Sequence, residues 1–326
     1  MSAVLLSLLT SSPRRLPEPP SLPGDALGDD DLHLALYVCY ELGYRGFAGV
    51  DEGWEWHPSL IAYRARLEQA FEAALRAAHP ARPVDPRDVA GELQSIVDGD
   101  RSPSLSGTLA TTGTIAQYRE FVVHRSAYQL KEADPHTWAI PRLAGVPKAT
   151  LVRIQFEEYG DGCAERMHSA LFARTMEQLG LDSRYGAHLE HLPGPTLATV
   201  NLMSMFGLHR RLRGAIVGHL AVFEMTSSGP NARYAAGLRR LGLDAAATHF
   251  YDEHVEADGV HQVMARDQLA AALARAEPRL GADILFGARA LLGLEGRFAQ
   301  RLLERWAGGE SSLLGPLAEP AALSVG

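Results

Sequence analysis

The chain has 326 residues, 46% of them hydrophobic and 21% charged, with a formal net charge of -8. That length and apolar content supply a sizeable core, and the acidic balance excludes a surface on which nucleic acid would condense. Two cysteines, Cys39 and Cys163, are too few and too far apart for a disulfide framework, so a reducing cytoplasm is expected.

The chain opens on an apolar run, AVLLSLL, without the basic start or small-residue cleavage pattern of a signal peptide. Nowhere does an apolar stretch reach the roughly 18 residues of a membrane span, so a soluble protein without a membrane partner is expected. Residues 11–31 are proline-rich and end in the acidic GDALGDDD, a composition that buries too little apolar surface to offset its ordering entropy. Residues 1–31 are therefore expected to be a disordered tail. From Leu32 the pattern turns helical, with Asp29 to Asp31 suited to the N-terminus, and Pro58 opens a second long helix through SLIAYRARLEQAFEAALRAA. His79 to Ser106 is a punctuated connector in which only Val89 to Val97 has helical character.

Beyond it, helices are expected over Ile115 to Lys131, Lys148 to Phe156, Ala164 to Leu179, Pro195 to Gly207, Arg210 to Thr226, Ala232 to Leu241, Ala245 to Arg275 and Leu280 to Trp306, broken by Gly, Pro or Asn. Alternating strand-type runs are missing. The expected fold is an all-α bundle over residues 32–310, with residues 311–326 as a C-terminal tail and sites built from inward-facing side chains of neighbouring helices.

Three motifs carry chemistry. In FYDEHVEADGVHQV, His254, Asp258 and His261 stand at i, i+4 and i+7, within about 60° on one helical stripe, so all three can address one point; imidazole and carboxylate suit non-haem iron. A solvated polar stripe is the competing reading. In EEYGDGCAERMHSALFARTM, Glu165 and His168 form the Glu-x-x-His pair of helical diiron proteins, while Glu158 lies ten residues before His168 and joins it only if Gly160 and Gly162 bend the helix. Third, Glu224 is the one carboxylate in the apolar run Ala215 to Met225. A buried carboxylate there requires a cation, a metal or a proton, and Arg210, Arg211 and Arg213 are competing partners.

These residues resemble the haem-oxygenase-like diiron oxidases and oxygenases, a family of iron-containing redox enzymes, over roughly residues 32–310. The most specific pieces are EEYGDG followed by His168, the lone Glu224, and the His-x3-Asp-x2-His run ending at His261. The resemblance implies a haem-oxygenase-like helical bundle and a metal set of Glu158, His168, Glu224, His254, Asp258 and His261. Members differ in where the first-helix Glu stands, so Glu158 and Glu165 compete, and the EYG-x-G context favours Glu158. An added carboxylate seen in the N-oxygenating branch matches Glu132 in YQLKEADPHTW, against which stands a surface Glu paired with Lys131. His33 and His57 lack the context of a haem ligand, so no haem is expected.

The implied activity is O2 activation at two non-haem iron ions, most readily N-oxygenation of an amine or related nitrogen, with oxidative carbon-carbon cleavage of an amino or fatty acid as the alternative. No NAD or flavin fingerprint is present, so electrons are expected from an external donor. The remaining expected partners are a small-molecule substrate and, as is common for such bundles, a second copy in a homodimer. Tyr128, Trp138, Phe156, Met203, Phe206 and Phe223 are candidate walls of a substrate pocket. Two readings of other classes are a metal-binding or helical interaction protein without oxygenase activity, and a Cys163-dependent enzyme without a metal, which lacks a paired base.

Overall fold

A computed structural model describes residues 1–20, 22 and 24–317; the side chains of residues 257 and 258 also lie outside that description. Among the described residues the regular structure is entirely helical, and no helix is long and apolar enough to cross a membrane.

The first element, α1 (Ser2–Leu9), lies in the stretch expected to be a tail. Leu5 and Leu9 are buried in the core, and the Met1 ammonium pairs with Asp31 at 2.6 Å. The prolines behind it rule out a longer helix but not docking, and seven apolar-rich residues ahead of them gain more by burial than they lose in entropy. The next helix, α2 (Asp30–Glu41), starts as its sequence dictates, with the Asp29 carboxylate accepting from Leu32 N at 2.8 Å. Proline occupies the first turn of α3 (Pro58–Ala78).

The connector carries α4 (Val89–Asp98), fixed by buried Val89 and Leu93, and α5 (Leu105–Thr111), fixed by buried Leu105 and Leu109. A reciprocal Thr114–Gln117 capping box begins α6 (Ile115–Gln129), which a tight turn joins to α7 (Asp134–Thr137). Then come α8 (Gly145–Glu158), α9 (His168–Gln178) and α10 (Gly194–Leu208), the last buried almost all round.

The axis of the bundle is α11 (Arg213–Arg240), which packs against α12 (Ala245–Val263) and later helices. Two helices were expected here, separated at Gly229-Pro230-Asn231, but Pro230 sits inside one continuous helix. Proline removes one backbone bond and costs about 3 kcal/mol. Packing of α11 on α5, α12 and α14 on both sides of Pro230 outweighs that local penalty. After α12 a π-helical stretch, Met264–Ala270, leads to α13 (Ala271–Ala276) and α14 (Gly281–Ala307). The end of the chain is no tail as far as residue 317, because Ser312 is buried and donates to Glu120 at 2.6 Å while Leu313 joins the core. Residues 318–326 lie outside the described residues.

Helices α11 and α14 touch backbone to backbone. A Cβ added at Gly218 would stand 1.8 Å from the Ile284 carbonyl oxygen, and one at Gly287 1.9 Å from that of Ala215. Since neither obstacle is a movable side chain, Gly218→Ala should destabilise the protein by about 3 kcal/mol or more. Gly229→Ala on the same helix should be neutral or stabilising, and comparing the two denaturant midpoints with that of the wild type checks both.

Candidate metal centre

Four elements converge on one buried spot. The first is the turn after α6. Leu130 to Ala133 reverse the chain, with Ala133 held at φ 77°, and present Glu132 inward. Lys131 points away from its neighbour. Its ammonium is 2.8 Å from Glu41, both side chains are almost wholly buried, and the Tyr185 hydroxyl donates to both Glu41 oxygens at 2.7 and 2.8 Å. The rings of Tyr37 and Tyr44 flank the ammonium. The alternative reading, a surface Glu132 paired with Lys131, is thereby overturned.

The second element is the EEYGDG segment, which breaks the helix instead of bending it. Helix α8 ends at Glu158, three successive residues, Gly160, Asp161 and Gly162, take positive φ, and α9 begins at His168. A Cβ on Gly160 would lie 2.5 Å from Met167 N, so only glycine lets the chain fold back this closely. The reversal brings His168 Nδ1 within 2.7 Å of Glu158 Oε2. Glu165, by contrast, is exposed on the connecting turn, where it accepts from the Cys163 thiol at 3.2 Å. The local Glu-x-x-His pair is therefore not realised, because residues 164–166 form a separate 3-10 turn and not the first turn of α9.

Glu224 enters from α11, buried, and two of its three expected arginine competitors are engaged elsewhere, Arg211 with Glu72 and Arg213 with Glu277, while Arg210 is exposed. From α12 come His254 and His261. The side chain of Asp258, the remaining residue of that run, lies outside the described residues.

Two groups of ligand-type atoms result. Glu132, Glu158, His168 and His254 form one, and Glu158, Glu224 and His261 the other; within each, one atom per residue lies within 4.8 Å of all the rest. Glu158 belongs to both, its Oε2 facing His168 and its Oε1 standing 3.8 Å from His261 Nδ1. Glu132 Oε2, His168 Nδ1 and His261 Nδ1 are buried without a hydrogen-bond partner although opposite charges stand close by. Atoms that approach so nearly without aligning point at shared points between them, which is the geometry of ligands around cations. The donor set, imidazole and carboxylate, fits iron.

The histidines are oriented from behind. His254 Nδ1 donates to the Phe250 carbonyl at 2.7 Å, which leaves Nε2 facing Glu132 Oε1 at 3.6 Å. His261 Nε2 meets Glu157 Oε2 at 2.6 Å, which leaves Nδ1 for Glu224 at 3.5 Å. Such outer carboxylates fix the tautomer and raise the basicity of a ligand. Glu157 was not singled out from the sequence. The adjacent Glu pair in EEYGDG is the signal, since residues one apart differ by about 100° and can serve inner and outer positions.

Burial opposes charge on His261, His168 and Glu158, yet the neighbours win. Burial would push the His261 imidazolium down, but the nearby Glu224 carboxylate, with Glu157 and Glu158, brings it up to about 9. His168 is raised against its burial by Glu158, and Glu158 is held below the usual carboxylate range by His168, His254 and His261.

Beside the cluster is a small space lined by Tyr128, Phe223, His136 and Gln155. A larger cavity of about 300 Å3 reaches Glu132 and His254 along α5, α6, α11, α12 and α14. Of the expected wall residues only Tyr128 and Phe223 line these spaces, while Phe156 is 54% exposed. Trp138, Met203 and Phe206 pack away from them, because a bulky side chain in an apolar run is far more often core than wall.

Comparison with known proteins places these features. A family model described as iron-containing redox enzyme matches residues 119–296. The nitrosourea synthase of Streptomyces achromogenes subsp. streptozoticus is 26% identical over 177 residues, which is 54% of this chain and 38% of that protein. The chain thus spans little more than a third of that relative. A CADD-like protein of unknown function from Nostoc punctiforme shares the fold, with a TM-score of 0.53 at 16% identity over 67% of this chain and 97% of its own.

Removing the Glu157 charge leaves the inner residues in place but frees the His261 ring. Glu157→Gln should weaken iron binding about 10–100-fold at unchanged stoichiometry, as a competitive chelator titration would show. A second expectation concerns pH. His261 has a folded pKa of about 9 against 6.5 unfolded, so it stabilises the metal-free protein fully below pH 6.5 and loses that contribution as pH rises to 9. Metal needs the deprotonated ring, so iron affinity rises over the same window. The gap in Tm between iron-loaded and metal-free protein should therefore widen from pH 6.5 to 9.

Proposed function

The chain belongs to the iron-containing redox enzymes of haem-oxygenase-like fold, and on that premise we propose that it is a non-haem diiron oxygenase that oxidises a nitrogen of a small molecule. The observation that carries the diiron reading is the sharing of Glu158 between two buried ligand groups. Three carboxylates buried together with three histidines are very unfavourable unless cations balance them, and a carboxylate facing two groups is suited to bridging two ions. Glu132, His168 and His254 would complete one ion's set, and Glu224 and His261 the other's, with Asp258 of the same α12 run as the remaining candidate.

Iron bound there would supply the redox chemistry that activates O2 as co-substrate. The protein's own groups do the rest. Tyr128 and Phe223 narrow the space beside the ligands and exclude water. The Phe250 carbonyl and Glu157 keep a proton on the outer nitrogen of His254 and His261, so that the inner nitrogens stay basic. Glu132 lines both the ligand cluster and the larger cavity, so it would help hold a metal and would also face a substrate in the cavity.

Nitrogen oxidation is favoured over carbon-carbon cleavage by Glu132, the added carboxylate of the N-oxygenating branch, and by the relative whose name is that of an enzyme making a nitrosourea. No nicotinamide or flavin fingerprint lies in the sequence, so electrons would arrive from a separate donor.

Anaerobic Fe(II) titration followed by rapid mixing with O2 tests the reading. About two irons per chain and a transient visible absorption band are expected, with His261→Ala losing the band and about one iron. A protein that takes up no iron, or whose band survives His261→Ala unchanged, refutes it.

A further inference from the structure

We infer that the small space beside the ligand cluster is a binding site for one water-sized, hydrogen-bearing ligand, and that Gln155 makes it reject small anions. The site itself rests on its walls alone; the part that concerns an anion reaching a metal rests on the function proposed above.

Gln155 is almost wholly buried on α8, and its amide is locked in one orientation. Its Nε2 donates to the Ala133 carbonyl at 2.7 Å and to Thr137 Oγ1 at 2.6 Å. The one hydrogen of Thr137 is drawn to that carbonyl at 3.2 Å or to the Tyr159 hydroxyl at 3.0 Å, and the Tyr159 hydrogen goes to Asp134 at 2.7 Å. Towards Gln155 the Thr137 oxygen is therefore an acceptor. Turning the amide round would set its oxygen against two acceptors at contact distance. The same amide joins the turn that carries Glu132 to the helix that carries Glu158, three residues further on.

With the nitrogen so committed, Gln155 Oε1 is left over. It is buried without a hydrogen-bond partner, as is Glu132 Oε2, and both residues line the small space. Two oxygens that only accept, on the wall of one cavity, are satisfied by a ligand that brings two hydrogens. The space measures about 10 Å3, close to what a single water requires, and Tyr128 and Phe223 keep bulk water from it. A water that gives one hydrogen to Gln155 and the other to Glu132 keeps its lone pairs for the rest of the wall, where Glu158, Glu224 and His254 stand. Those lone pairs are then offered to a cation held by the ligand groups. A small anion such as azide brings no hydrogen, so in the same place it would meet an amide oxygen and a carboxylate with nothing to give either.

Crystals of the protein with and without iron test the site, and azide titration of the iron-loaded, air-oxidised protein, followed by its visible absorption, tests the discrimination. In metal-free crystals one ordered water should lie within about 3 Å of both Gln155 Oε1 and Glu132 Oε2, and in iron-loaded crystals it should keep the Gln155 contact. Gln155→Met should lose the water and bind azide about tenfold or more tighter than the wild type, since an opposing lone pair is removed. Thr137→Val loosens the tie but leaves the amide oxygen in the space, so its azide affinity should match that of the wild type. An empty space in the wild-type metal-free crystals, an amide found turned round, an azide affinity unchanged by Gln155→Met, or one shifted as much by Thr137→Val would overturn the inference. The wild-type crystals decide it even where Gln155→Met fails to fold. A protein that takes up no iron but holds the water refutes the diiron reading alone, and one that loads iron without the water refutes this inference alone.

Discussion

Three carboxylates, Glu132, Glu158 and Glu224, are taken out of water within reach of one another, and much of this structure can be understood as what makes that tolerable. Like charges in a dry interior repel strongly, and each loses its hydration. Histidines from α9 and α12 are set among them; the carboxylates make His168 and His261 hold a proton more tightly than usual, and a bound metal would take the place of those protons. The same buried charge that makes the site unfavourable as an empty core makes it selective for a multiply charged occupant.

Holding the carboxylates in register falls to unrelated parts of the chain. Glu132 hangs on a turn whose other face is fixed by the buried Lys131–Glu41 pair and the ring of tyrosines around it. Breaking such a pair from one side costs about 3–5 kcal/mol, which makes the turn rigid where a loop would otherwise be soft. Gln155 of α8 ties the same turn from within, donating to the Ala133 carbonyl at 2.7 Å. Glu158 is held by a helix end that must fold back at once, and Glu224 by α11, against which α5, α12 and α14 all pack. In α11 the close contact with α14 below and the missing backbone bond at Pro230 above bracket the segment that carries both Glu224 and the cavity wall.

Inner ligands, outer hydrogen bonds and cavity follow one another along the same helices. On α12, Phe250 orients His254, Tyr251 faces the cavity, and His254 and His261 face the cluster. On α8, Glu158 and Glu157 share His261 from two sides. Helical periodicity lets one element serve several functions, because residues three, four and seven apart share a face while adjacent residues turn about 100° away from one another.

That periodicity is local, which is why the all-helical fold and most of the residues that cluster at the candidate site, Glu158, His168, Glu224, His254 and His261, could be singled out from spacing, residue type and family resemblance. The sequence by itself also marked the oddity of a lone Glu in an apolar run and of glycines after EEY. What only the tertiary structure decided depends on distant surfaces: that the chain reverses at Gly160 and leaves Glu165 outside, that Pro230 interrupts nothing, that Leu5 and Leu9 dock, and that Lys131 turns to Glu41, ninety residues away. A helix break or a buried pair takes its direction from what packs against it, and no window of neighbouring residues contains that information.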